Sequence, residues 1–289
     1  MRRIGFAGVV ASLAAGLFTL LAQETPSASP ESVPTVVRSQ ADCTGFVANP
    51  DVPHNLFVVG GADDDFHSVT RQFVEGESVR ISPRKGSELA VNDEHSVVRS
   101  ADELFLTSHY EGQRSDIARS GRPYEDVAKI KLTHVDREGA MARITFSCQP
   151  VMRGDIVVPL QARAIPEYVP SQSVDRFTTA SKEKYLGRII GTPKNAGFLG
   201  KEAIIYLNVG EREGALPGQR FRIFRVEGPS SSGSMSSQKT PPETVGEAVV
   251  LSVQARSCVA IVISSIREIS AGDYVENEGP GVGRQSRRE

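Results

Sequence analysis

The sequence predicts an all-β protein made of two tandem small β-barrel or sandwich-like domains that are related by internal duplication. Two observations predict this fold. Short runs of β-branched and aromatic residues, bounded by glycine and proline, recur along the chain and are clearest in residues 203–276. The same order of runs occurs in residues 55–160, with different loop lengths. We therefore place the first β-domain at residues 43–161 and the second at residues 187–277.

Each strand of the second domain is predicted from a local apolar run. The runs lack the 3.6-residue period of a helix and are short enough to be strands. Gly218 and Gly272 supply the backbone freedom that the intervening turns need. The predicted strands centre on residues 189–190, 204–207, 221–225, 249–253, 259–263 and 274–275.

The strands of the first domain are predicted in the same way. Residues 129–135 alternate between apolar and polar side chains, as a half-buried strand does. Residues 109–124 are polar and contain glycine and proline, so they predict a long loop. The predicted strands centre on residues 44–47, 56–59, 76–81, 96–99, 129–135, 142–146 and 154–158.

The closing turn is the clearest repeated feature of the two domains. Gly154 and Asp155 correspond to Gly272 and Asp273, each pair just before a final strand. Each aspartate is best explained as a turn residue that hydrogen-bonds nearby backbone. A catalytic pair of carboxylates is the alternative for the aspartates, and chance similarity of two β-rich stretches is the alternative to duplication.

The N-terminus has the pattern of a secretory signal peptide, residues 1–22. Arg2 and Arg3 precede an apolar stretch, and Ala22 supplies a small residue at the cleavage point. A retained membrane anchor is the alternative, but the apolar stretch is at the short end for a span. We expect a periplasmic or extracellular protein that touches the membrane only through the uncleaved signal segment.

Three segments outside the domains are predicted from their composition. Residues 23–42 are rich in proline and serine and predict a flexible lead-in, residues 162–186 predict a linker, and residues 278–289 predict a disordered tail. Within the first domain, the acidic cluster at residues 63–65 suits a solvated hairpin tip better than a cation loop. A calcium loop needs oxygen ligands at spaced positions.

The three cysteines are Cys43, Cys148 and Cys258. An exported protein meets an oxidising compartment, so a pair can form a disulfide. Cys43 and Cys148 fall in the same predicted domain and are the candidate pair, which leaves Cys258 as a buried free thiol. The cysteine spacings match no zinc site, and we predict neither a metal nor a cofactor.

The net charge of the chain and the positions of its arginines indicate which class of partner to expect. The formal net charge of −2 gives no broad basic field, so we predict no nucleic-acid partner. Arg220, Arg222 and Arg225 lie on one predicted strand, with Arg212 shortly before it. These four residues are the candidate binding residues for an acidic partner or polymer, and an ordinary solvent-exposed face is the equally weighted alternative.

The stretch Val-Gly-Glu-Arg-Glu-Gly-Ala-Leu-Pro-Gly at residues 209–218, followed by an arginine-rich strand and a Gly-Asp-Tyr-Val-Glu ending, resembles the C-terminal domain of flagellar assembly protein T. It also resembles the β-domains of LysM-associated envelope proteins, in which a Gly-Arg-Pro-Tyr-x-Asp segment such as residues 121–126 precedes the closing strands. The chain shows no LysM module before Asp42. The resemblance therefore concerns the β-domains and implies an exported β-module without catalytic residues.

These observations favour an exported, non-catalytic envelope protein that acts as an interaction or assembly module with another envelope protein. A peptidoglycan- or glycan-binding module is the alternative, and a hydrolase is the least favoured. The sequence has no nucleophile elbow, phosphate loop or dinucleotide fingerprint. An exposed apolar sheet edge would favour assembly, an arginine-lined groove a polymer ligand, and a polar pocket shared by both domains an enzyme.

Overall fold

The structure is a computed structural model that describes most of the two predicted domains. The signal peptide, the acidic cluster at residues 63–65 and the tail at 278–289 lie outside the described residues, as do the first part of the lead-in and most of the linker. The described residues are 33–34, 36–62, 71–82, 89–102, 107–160, 163, 165–168, 187–226 and 242–277.

The described chain is mainly β-structure, as predicted. In chain order, the first half contains β1 (Val33–Pro34), α1 (Arg38–Ala41), β2 (Phe46–Ala48), β3 (Leu56–Gly61), β4 (Gln72–Phe73), β5 (Ser78–Ser82), β6 (Glu94–Ser100), α2 (Gln113–Ser120), β7 (Arg122–Val135), β8 (Ala140–Ser147), β9 (Val151–Met152), β10 (Ile156–Pro159) and β11 (Glu167–Tyr168). The second half contains β12 (Gly187–Gly191), β13 (Phe198–Leu199), β14 (Ile204–Leu207), a 3-10 turn (Glu211–Glu213), β15 (Arg220–Arg225), β16 (Glu243–Val253), β17 (Cys258–Ser265), β18 (Ile269–Ser270) and β19 (Tyr274–Asn277).

The first half forms a closed six-stranded antiparallel barrel. Its ring order is β3-β5-β8-β7-β6-β10, and β10 pairs with β3 to close it. Alternate residues of each strand face the interior, such as Val79 and Ile81 of β5, both fully buried. Strand β2 pairs with the first residues of β7, outside the ring.

The second half forms another closed six-stranded barrel. Its ring order is β12-β14-β17-β16-β15-β19, closed by the pairing of β12 with β19. The interior is filled by β-branched and aromatic side chains, such as Ile205, Phe221 and Val262, none of which is exposed. Burial of these side chains is the main stabilising contribution to the barrel.

The two barrels have the same topology, which confirms the predicted internal duplication. In each ring, the first strand pairs with the second and the last, and the third, fourth and fifth strands are neighbours in the same order. A register shift follows Val58 in β3 and Ile189 in β12, at the equivalent place. The small ladders β4–β9 and β13–β18 also occupy corresponding positions.

The predicted loop at residues 109–124 is wrong in part, because it contains the helix α2 and the start of β7. Ile117 is the one large apolar residue of α2, so the sequence has no apolar stripe of helical period. The helix is instead fixed by buried polar groups. The side-chain amide of Gln113 donates to the Ile190 carbonyl oxygen at 2.9 Å, and Ser120 Oγ donates to the Asp116 carbonyl oxygen.

The barrels pack directly against each other through a shared apolar cluster. Ile190, Tyr206 and Val259 on the outside of the second barrel contact residues of β2, β6, α2, β7 and β10 of the first. Tyr206 is 2% exposed, and its hydroxyl donates to the Thr44 carbonyl oxygen at 2.9 Å. Burial raises the pKa of this phenol. The two barrels therefore form one compact body.

Residues 36–48 form a segment that we call the strap, because it contacts both barrels. Val36 and Ala41 pack on Leu251 and neighbouring residues of the second barrel. A disulfide then joins Cys43 to Cys148, beyond the end of β8 in the first barrel. The prediction of a flexible lead-in did not include this packing of residues 36–42 on the second barrel. The apolar partners of Val36 and Ala41 lie far along the chain, on the second barrel, and the composition of residues 23–36 does not indicate such contacts.

Because His95 on β6 is buried, we predict that the stability of the folded protein depends on pH. The ring is 8% exposed, and its Nδ1 has no hydrogen-bond partner within the described part of the chain. Burial lowers the pKa of His95, and the smaller effect of nearby Asp93 opposes it. The unfolded chain, with a histidine pKa of about 6.5, therefore binds a proton first as the pH falls. We expect stability to be full above about pH 6.5 and to fall below it.

The measurement is urea unfolding between pH 7.5 and 5.0 for the wild type and for His95→Gln, whose side chain does not titrate. The fall in unfolding free energy with decreasing pH should be smaller in the variant. Equal falls in both proteins would show that His95 does not cause the pH dependence.

Candidate functional site

The arginine row on β15 is engaged within the second barrel. Arg220 forms an ion pair with Glu247 at 2.9 Å, and Arg222 pairs with Glu276, both side chains being buried. These carboxylates lie on β16 and β19, the two strands that flank β15. The row is therefore not an open docking patch. Arg222, which is only 5% exposed, does not belong to an ordinary solvent-exposed face either.

Arg225 belongs to a structural unit that occurs once in each barrel. Its guanidinium binds the Asp273 carboxylate through two contacts of 2.8 Å, and Arg99 binds Asp155 in the same way at 2.7 and 2.8 Å. Each carboxylate raises the pKa of its arginine. Each aspartate also accepts from the backbone NH three residues before it. This confirms the interpretation of both aspartates as turn residues.

Arg212 has a different environment, because it faces a cleft between the two barrels. We call this the junction cleft, and its volume is about 200 Å³. The first barrel contributes three residues of α2, and the second contributes residues from the β14–β15 connection and the β16–β17 turn. The lining residues are Asp116, Arg119, Ser120, Asn208, Arg212, Glu213 and Arg256.

The two loops of the second barrel that carry Arg212 and Arg256 are in close backbone contact at Gly210. A Cβ atom at Gly210 would lie 2.4 Å from the Gln254 carbonyl oxygen and 2.7 Å from the Arg256 nitrogen, so glycine permits the close approach. The backbone NH groups of Glu211 and Arg212 donate to carbonyl oxygens of the facing turn at 3.0 and 3.3 Å. The backbones that carry both arginines are thus fixed.

The carboxylates of the junction cleft already have partners. Asp116 accepts from the Tyr110 hydroxyl at 2.8 Å and forms an ion pair with Arg119. Burial and this hydrogen bond raise the pKa of Tyr110. Glu213 accepts from the Gly210 backbone NH at 2.8 Å. The carboxylates of Asp116 and Glu213 are therefore engaged in contacts within the protein.

The guanidinium groups of Arg212 and Arg256 are charged groups of the cleft without an acidic partner among the described residues. Neither side chain forms an ion pair with any described residue. Nε of Arg256 is buried without a hydrogen-bond partner among those residues. A buried unpaired donor is costly unless a partner group satisfies it. This arrangement is suited to binding an anion.

Two further clefts contain charged pairs of their own. A groove of about 210 Å³ on the first barrel lies beside Phe46 and Cys148. Its charged residues form the ion pairs Asp42–Lys129 at 2.6 Å and Asp126–Arg163 at 2.5 Å. A wider cleft of about 430 Å³ includes His134 and Asp136, which lie 3.5 Å apart and are exposed.

The disulfide of the strap joins the two cysteines that the sequence favours as a pair. Cys258 is free and buried, as expected, and burial raises the pKa of its thiol. Within the described ranges, no three or more metal-ligating side chains cluster to hold a metal ion. In that same part of the chain, no helix is both long and apolar enough to cross a membrane.

Sequence reasoning found Arg212 but missed Arg119, Asn208 and Arg256 as residues of the same cleft. Arg256 follows a strand in a polar turn, a pattern that occurs at many surface positions. A detectable signal was the presence of arginine in two loops of one domain, but their proximity depends on the close approach at Gly210.

Comparison with known proteins gives no assignment. No family model matches the chain, and no curated protein is similar enough to it to count as a relative.

Proposed function

We propose that the chain is an exported, non-catalytic interaction or assembly module that docks a cell-envelope partner at the junction cleft. The observation that carries the proposal is a pair of guanidinium groups, Arg212 and Arg256, that form no ion pair with any described residue and line a cleft built by both barrels. Arginine is suited to recognising carboxylate or phosphate groups on a partner.

Export to the periplasm or cell exterior is supported by two independent features. The N-terminal sequence has the order of a signal peptide. The disulfide between Cys43 and Cys148 is of a type that persists in oxidising compartments and is rare in the cytosol.

Docking through side chains is favoured over strand addition. Both barrels are closed in the described part of the chain, so each barrel strand already has two neighbours. A closed barrel has no unpaired edge that could recruit another strand. Within the described residues, the strands of the two barrels therefore offer no edge for strand-mediated assembly.

A hydrolase is less well supported, although the cleft is polar and shared by both barrels. Its two carboxylates, Asp116 and Glu213, are held by internal hydrogen bonds. The groups left open are guanidinium groups, which offer hydrogen-bond donors and no acceptor, so they do not act as general bases. A binding role fits this set of groups best.

Peptidoglycan binding is the second candidate, and the arginine-lined cleft favours it, because the carboxylates of an acidic polymer match guanidinium groups. The resemblance to the C-terminal domain of flagellar assembly protein T and to LysM-associated β-domains stays a prediction. It supports both candidates equally, since both are envelope functions.

Co-sedimentation with purified peptidoglycan sacculi at low and high salt separates the two candidates. The mature chain, residues 23–289, is expected to stay in the supernatant or to lose its binding in high salt, where exposed charge contacts are screened. That result supports a protein partner. Sedimentation that persists at high salt would contradict it and identify a wall-binding module.

A further inference from the structure

The hydrogen-bond donors that line the junction cleft indicate one class of ligand. Arg212 and Arg256 contribute guanidinium groups without acidic partners among the described residues. Asn208 Oδ1 accepts from the Arg188 backbone NH at 2.6 Å, which leaves the amide NH₂ of Asn208 as a further open donor. Three side chains thus offer only donors to the cavity, which is the requirement for an oxyanion.

The acidic side chains do not cancel this preference. Asp116 is held by Tyr110 and Arg119 on one side of the cleft, and Glu213 is turned to its own backbone at Gly210. The lining has three arginines and two carboxylates, so its formal charge is positive.

The site is also pre-organised and small. The backbone hydrogen bonds from Glu211 and Arg212 to the facing turn hold the two arginine-bearing loops before any ligand arrives. Binding therefore has to order only the two arginine side chains and not the loops that carry them. A cavity of about 200 Å³ suits a compact group and does not extend into a long groove.

We propose that the junction cleft binds a single compact oxyanion, a carboxylate or phosphate group, through Arg212, Arg256 and the amide of Asn208. Arg256 acts from the buried side, where its Nε lacks a partner, and Arg212 acts from the exposed side. The inference deepens the proposed function, on which it rests for the partner that carries the anion.

The test is isothermal titration of the purified chain with inorganic phosphate and, separately, with a tetraglutamate peptide, in Tris-chloride buffer. We expect one equivalent of at least one probe to bind. Arg256→Gln and Arg212→Gln should each weaken that binding by about tenfold or more, because each removes a charge-assisted contact. Binding of phosphate alone identifies a phosphate group, and binding of the peptide alone identifies a carboxylate.

The matched control is Arg267→Gln, which removes a half-exposed arginine of the same barrel that pairs with Glu243. It should leave the affinity unchanged. Arg212 is exposed, so Arg212→Gln keeps the test valid if Arg256→Gln fails to fold.

Failure of both probes to bind would overturn the inference, as would an equal loss of affinity in all three variants. The titration uses purified protein, so it is independent of cellular location. Anion binding without any envelope partner would leave this inference intact and overturn the proposed function instead.

Discussion

Removal of the disulfide between Cys43 and Cys148 is expected to lower the free energy of unfolding by about 2–5 kcal/mol. The two cysteines are separated by 105 positions in the sequence. A cross-link that closes so long a loop restricts the unfolded chain strongly. In the folded state, the same bond ties the strap to the first barrel while Val36 and Ala41 pack on the second.

The measurement is urea unfolding of the chain with and without a thiol reductant, followed by far-ultraviolet circular dichroism. The reduced protein should unfold at a clearly lower urea concentration. The control is the double variant Cys43→Ser, Cys148→Ser, whose unfolding should not respond to the reductant, since Cys258 is not in a disulfide. An unchanged midpoint on reduction of the wild type would contradict the stabilising role of the disulfide.

Replacement of Tyr206 by alanine is expected to destabilise the protein by about 3–5 kcal/mol, the usual cost of deleting a large buried aromatic side chain. Tyr206 lies on the second barrel but is buried against the first, and its hydroxyl binds the strap at Thr44. The substitution therefore removes apolar contacts at the barrel junction and leaves a cavity there.

Tyr206→Phe is the matched variant, because it keeps the ring and removes only the hydrogen bond to the Thr44 carbonyl oxygen. We expect it to cost about 1–3 kcal/mol. In thermal unfolding, the wild type should show one transition and Tyr206→Ala an earlier or divided one. A loss below about 1 kcal/mol in Tyr206→Ala would mean that the junction contributes little to stability.

The barrels were predictable from sequence because their signals are local. Strand β14 is a continuous apolar run, and β8 alternates between buried and exposed residues, so each indicates a strand without its neighbours. The repeated Gly-Asp turn then aligned the two halves. The closure of each barrel required strand pairings between distant residues, which a local pattern does not contain.

The functional residues were less predictable because their roles depend on distant partners. Arg222 alternates like an exposed strand residue, yet it is buried against Glu276, 54 positions later. The junction cleft joins Arg119 on a helix without an apolar stripe to Arg256 in a turn of the other barrel. Neither contact leaves a periodic signal.

The proposed function is tested most directly by site-specific photo-cross-linking in intact cells that produce the full chain. A photoreactive residue replaces Ala118, an exposed position on α2 beside the junction cleft, or Val91 as the control. Val91 is exposed, precedes β6 and is not among the residues that line the junction cleft.

We predict a cross-linked product with an envelope protein from position 118 and none from position 91, with the chain recovered in the envelope or periplasmic fraction. Equal products from both positions, no product from position 118, or a chain confined to the cytoplasm would contradict the account.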